Sequence, residues 1–458
     1  MSGRYSDLPV VEISVDPSQA ISRLATWRHS FGQGGINTLP LPDSVVEATR
    51  QLEPRLVRIF LQEFFFIRDG RGGFDWSRMD RYVDSISRTG AKIVAALTIK
   101  PRELYPEIDA SIWRPTDWVC WQEIVVAVAQ RYSVERKAVT HWEIGNEPDI
   151  GENGGSPYLI PDPVDYAEYY TRTVGPILAT CPKAKVGGTA NAGAGQEPLP
   201  GFLRIAAERN LPLHFVSWHR YSSDPALSAD DIRAVQSMTS RLPHPPELMV
   251  TEFSPGFSRV SVPEQAIEPW RAAAVAGTIW EMIEADLDWS FHYHLWEQAC
   301  YPEDFEPFFR DVAIMTRHWN EVPHRFALFD LDGNVRPTWF VFWMLHRMAA
   351  QRCAVGTEAD GLRVLASREA GRVTAMLVNY GPGAVDRVGA VRVRPLERGR
   401  RVLTVYRIDD AHSWDGETPE MRPVERREVA VLDGFEFHVA LPADTVAMAE
   451  LCDAGSSG

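Results

Sequence analysis

Two apolar runs in this chain end in a glutamate. HWEIGNEPD, residues 141–149, delivers Asn146 and Glu147 just ahead of Pro148, and LMVTEFS, residues 248–254, delivers Glu252. A carboxyl pair does one kind of work well. If one holds a proton near neutral pH and the other does not, the first protonates a leaving oxygen while the second attacks carbon or activates water. That is the minimum equipment for breaking a glycosidic bond. A separation of about 5 Å leads to direct attack and retention, and about 6.5–9.5 Å leaves room for water and inversion.

Such a pair needs elements that carry both residues to one place. From residue 26 to residue 350 short apolar runs alternate with helical patterns. The runs at 54–61, 91–101, 138–148, 184–191, 214–222, 247–254 and 289–296 read as strands, and 26–35 as an earlier one. Between them, 75–90 places Met79, Tyr82, Val83 and Ile86 at helical spacing, and 116–133 reads as an apolar helix with Thr116 as its N-cap. Further helices are expected at 163–182, 269–286 and 336–350. Strands apolar on both faces, each followed by a helix, predict a parallel sheet. Eight such units close into an α/β (β/α)8 TIM barrel. A doubly wound open sheet is the rival, but GQGGIN near residue 32 is not a phosphate-binding glycine pattern. Beyond residue 350 the texture changes to short alternating strands, predicting a C-terminal β-sandwich. The expected division is a catalytic barrel at 17–350 and an accessory sandwich at 351–458, joined by the alternating stretch 9–16.

A barrel of this kind works at the carboxyl ends of its strands. Read there, the second strand offers Arg58, Gln62 and Glu63, and the third Lys100. The sixth offers His219, Arg220 and Tyr221, and the eighth Trp296 and Glu297. His219 and Tyr221 lie two apart, so they share a face.

The strand-end motifs carry a resemblance. HWEIGNEPD, KVGGTANA, FVSWHRYS, LMVTEFS, DGNVRPTWF and YRIDDAHS follow one another in the order expected of glycoside hydrolase family 39. The chain resembles that family, the β-xylosidase and α-L-iduronidase group of the clan A retaining glycosidases. Gly145 stands where family members often carry Trp, and Asp149 where Asn is common. The resemblance implies Glu147 as acid/base and Glu252 as nucleophile. It also implies an exo-acting hydrolase of terminal pentose, β-xylose first and α-L-arabinose close behind. In this reading Asn146 reaches a sugar hydroxyl, Arg58 lowers the pKa of Glu252, and His219 or Tyr221 orients Glu252. Trp296 forms an apolar floor under the sugar. Lys100 and Glu297, with Gln33 and Trp218 behind them, are further hydroxyl contacts. The insertions after strands four and eight, PYLIPDPVDY and YPEDFEPFFRDVAIMTRHWNEVPHR, would wall the pocket.

Composition narrows the partners. The formal net charge is −15, against a phosphate-tracking nucleic-acid protein. The 15 tryptophans are more than a core demands and suit sugar rings. Five scattered cysteines suggest reduced thiols, and with no leader pattern at the start a cytoplasmic protein is expected. A glycoside or oligosaccharide is the expected partner, with no membrane span and no cofactor; self-association stays open. His292 and His294 share a strand face, but two ligands do not make a zinc site, so no metal is expected. Two other classes fit the scaffold: a silent carbohydrate-binding barrel, which needs neither carboxylate, and a metal-dependent barrel enzyme, which needs ligands on several strands.

Overall fold

A computed structural model of the chain describes residues 7–37, 39–62, 67–68, 73–256, 269–321, 327–357, 359–412 and 420–454. Glu63, Ser413 at the end of YRIDDAHS, and positions 322–325 of the strand-eight insertion lie outside them. Eight parallel strands form a closed barrel. In chain order they are His29–Gly32, Leu56–Gln62, Lys92–Thr98, Val139–Ile144, Lys185–Asn191, Phe215–Tyr221, Glu247–Ser254 and Trp289–Tyr293. Each pairs with its sequence neighbour, and the eighth closes on the first through Ser290 to His29 and Tyr293 to Gly32. All eight expected strands are present, including the earliest.

The strands form where apolar side chains can be buried on both faces. Inside the amino end, Leu56, Val94, Phe215, Met249 and Phe291 pack into a plug, so the barrel is a filled core rather than a channel. Outside, the helix Ser77–Ser87 buries Met79, Tyr82, Val83 and Ile86, the face its spacing predicted. The helix Trp118–Ala129 starts one residue later than expected. Asp117, not Thr116, is its N-cap, because the Asp117 carboxylate accepts from the backbone N–H groups of Val119 and Cys120. Asp162 caps Pro163–Thr180 in the same way. The helix Asp43–Arg50, between strands one and two, was not expected from the sequence.

Among the described residues the second sheet has nine strands. It bends over one apolar core that joins Ile13 and Val15 to Leu377, Val391, Leu403 and Phe437, which is the expected sandwich built from a continuous sheet. Its pairs are antiparallel except one: Val10–Arg23 runs parallel to Arg387–Val393. That first strand also pairs with Gln351–Gly356 as far as Arg23, past residue 16. The helix Pro269–Glu284 lies between barrel and sheet, with Trp280 Nε1 donating to the Val364 carbonyl at 3.0 Å. Tyr380 Oη reaches back to the Ser223 carbonyl at 2.9 Å.

Candidate active site

Two backbone irregularities aim the glutamates. Strand four ends at Ile144, and Gly145 follows with φ 98°, a region open to glycine and costly for a tryptophan. That is a physical reason for the glycine at this position. Glu147 itself takes φ 40°, and its N–H is held by the Ala190 carbonyl of strand five at 2.8 Å. Strand seven shifts register between Val250 and Glu252, and this places Glu252 opposite His219 of strand six.

The two carboxylates meet over a cavity of about 600 Å³ at the carboxyl end of the barrel. One oxygen of Glu147, one of Glu252 and a ring nitrogen of His219 all lie within 4.8 Å of one another. Glu252 is held at both oxygens: Arg58 Nη1 donates to Oε1 at 2.5 Å and Tyr221 Oη to Oε2 at 2.6 Å. Arg58 also donates from Nε to Glu143 at 2.7 Å and from Nη2 to Asn146 Oδ1 at 2.7 Å. His219 turns the other way. Its Nδ1 is 2.7 Å from Glu147 Oε1 and 3.6 Å from Glu252 Oε2.

Burial sets the protonation. It pushes the Glu147 carboxyl well above the usual carboxylate range, and the charges of Glu252 and Asp149 add to it. Burial also raises Glu252 on balance, while Arg58, in the direction expected from the sequence, and Tyr221 pull it back down. Glu147 has no such bonded cation, so the proton of the pair resides there. His219 is held neutral, by burial first and Arg58 second.

Some expected contacts lie elsewhere. Lys100 donates to the carbonyls of Asp109 at 2.7 Å and Pro157 at 2.8 Å, and burial pushes its pKa down to about 8. It braces two loops and does not line the cavity. Trp296 is also outside the lining: its indole donates to the Leu331 carbonyl, and its backbone is gripped by Gln33. Glu297 is buried against Arg336 and turned from the cavity. Asn146 is buried, its amide divided between Arg58 and the Gly154 carbonyl. Trp218 is core, and Arg220 is spent on Asp231.

Other residues take those places. Tyr293, the last residue of strand eight, lines the cavity, and the strand-end rule could have found it. Met315, Arg317 and Trp319 enter from the strand-eight insertion, the stretch expected to form a wall. The insertion PYLIPDPVDY after strand four, expected to form a wall, contributes nothing to the lining; the turn before it supplies Ile150, Asn153, Gly154 and Gly155 instead. Glu152 joins the two walls by accepting from the N–H of Arg310 at 2.9 Å and of Asp311 at 3.2 Å.

The Glu147, His219 and Glu252 cluster has the donor types of a metal site. A guanidinium and a phenol already occupy both oxygens of Glu252, so the donor set fits a cation poorly. Among the described residues His292 and His294 gather no third ligand.

A family model described as glycosyl hydrolases family 39 matches residues 52–379. The chain belongs to glycosyl hydrolase family 39. This family-39 chain is 23% identical over 340 residues to a β-xylosidase of Geobacillus stearothermophilus, a match covering 67% of the chain and 62% of that relative. Its fold matches a monomeric β-xylosidase from Caulobacter crescentus CB15 with TM-score 0.76 at 19% identity, covering 97% of this chain and 100% of that one. It matches a family-39 enzyme from Xanthomonas axonopodis pv. citri with TM-score 0.75 at 18% identity, over 99% of both chains. No helix among the described residues is long and apolar enough to cross a membrane.

Proposed function

We propose that this family-39 protein is a retaining exo-glycoside hydrolase that removes terminal pentose, β-xylose first, by double displacement. The observation that carries the reading is the approach of a Glu147 oxygen and a Glu252 oxygen to within 4.8 Å over one cavity. Retaining enzymes hold their carboxyls about 5–5.5 Å apart. Glu252 attacks the anomeric carbon as the glycosidic C–O bond breaks, and Glu147 passes its proton to the departing oxygen. Glu147, now ionised, takes a proton from water, and the water oxygen displaces Glu252 from the sugar. The configuration is retained.

The neighbours have supporting roles. Arg58 and Tyr221 hold the nucleophile ionised and aimed. With its proton on Nδ1, His219 donates to Glu147 Oε1 and leaves the acid proton to Oε2. The joined walls at Glu152 and Arg310 favour chain ends over chain interiors. The cavity draws its lining from residues before 320, which supports a catalytic unit ending near 350 and an accessory one at 351–458; residues 17–23, expected in the catalytic unit, run with 10–16 in the first strand of the second sheet.

The test is turnover of aryl glycosides, pentosides first, by the full chain with Glu252→Ala as the blank. A preferred arabinoside would move the reading to an α-L-arabinosidase. Binding of sugars with no turnover of any would leave a silent carbohydrate-binding barrel.

A further inference from the structure

The two oxygens of Glu147 face different surroundings. Oε1 is taken by His219, while a Cβ on Gly154 would lie 1.7 Å from Oε2. A leaving oxygen has to come within about 2.6–3.2 Å of the group that protonates it. Whatever is bonded to that oxygen therefore lies over the turn 150–155.

That surface is apolar at depth and polar only at its rim. Gly154 and Gly155 present no side chain, and Ile150 is half-buried beside them. Met315 closes the surface from the strand-eight insertion: it is buried, and a Cβ on Gly155 would lie 3.6 Å from its Cε. Asn153 and Arg317, the polar members on this side, are exposed. A second sugar would turn hydroxyls toward a wall with few partners for them, and buried hydroxyls without partners are costly. A methionine thioether instead moulds itself to irregular apolar shapes.

We propose that the leaving-group side of the cavity takes an apolar aglycone, alkyl or aryl, in preference to a second sugar; this rests on the assignment of Glu147 as the acid. The substrate class would then be small apolar glycosides rather than oligosaccharides. The experiment uses methyl, butyl and octyl glycosides of whichever sugar the aryl screen selects, below micelle-forming concentration. Their leaving groups are nearly equal in basicity, so the difference between them reports contact with the aglycone. In the unaltered protein kcat/KM should rise about tenfold or more from methyl to octyl, and the disaccharide should do no better than the methyl glycoside. Met315→Ser and Ile150→Asn should each flatten the series. A flat series in the unaltered protein, or a disaccharide better than the octyl glycoside, overturns the inference and leaves the hydrolase reading standing. Turnover of no glycoside at all overturns that reading and this inference with it.

Discussion

Gly154 and the carboxyl of Glu147 compete for the same space: a Cβ on the glycine would sit 1.7 Å from Oε2 and 2.7 Å from Cδ. The Gly154 carbonyl also accepts from Asn146 Nδ2 at 3.1 Å, so backbone and side chain of neighbouring loops interlock here. Gly154→Ala should displace the Glu147 carboxyl. The expected result is a fall of roughly 10²-fold or more on substrates with poor leaving groups, and much less on activated aryl glycosides. Equal losses on both would separate Gly154 from the acid step.

Glu252→Ala should lower turnover on the order of 10⁴-fold or more. Azide should restore activity on an activated substrate and give a glycosyl azide of inverted configuration. A variant that still turns over at the original rate would remove Glu252 from the chemistry.

The pH profile follows from the direction of the Glu147 shift. Burial, Glu252 and Asp149 raise its pKa, and in the proposed mechanism the acid form is the working form. Activity should therefore persist through weakly acidic pH and fall as pH rises through the raised value, above the range of an ordinary glutamate. Asp149→Asn removes one of the three raising influences, so the basic limb of kcat/KM should move to lower pH. The same shift has a stability counterpart. A carboxyl whose pKa is raised by folding favours the folded state fully below its unfolded value, and loses that advantage as pH climbs through the folded one. Glu147→Gln should accordingly flatten the decline of stability across that window, between the unfolded and the raised folded value, in denaturant titrations.

Arg58 is buried with Glu143 and Glu252 bonded to it. Arg58→Met strands both carboxylates without their cation and should destabilise the fold by about 3–5 kcal/mol. The double variant Arg58→Met with Glu143→Gln should lose less than the sum of the two single losses, because the second change removes one stranded charge. Additive losses in chemical denaturation would show that the pair is not coupled.

Much of the architecture was legible without coordinates. Apolar runs of strand length alternating with helical faces identify all eight barrel strands, since burial on both faces leaves a local mark in the sequence. The same marks put Glu147, Tyr221 and Glu252 at strand ends, where a barrel gathers its polar side chains. Helix starts were less legible: Thr116 and Asp117 are both capping types, and only the bonds to Val119 and Cys120 choose between them.

What the side chains meet was decided by the folded chain. The register shift before Glu252 sets it against His219, yet it is Tyr221 that bonds Glu252 while His219 turns to Glu147. Lys100 follows a strand end like the others, but carbonyls from two later loops claim its ammonium. Trp319 lines the cavity and Trp296 does not, although both follow strand eight. The physical reason is range. Periodicity and turn chemistry are set by residues a few positions apart, and the sequence by itself carries them. The partner of a buried charge or the wall of a pocket depends on loops far apart in the chain, and only their packing in three dimensions decides it.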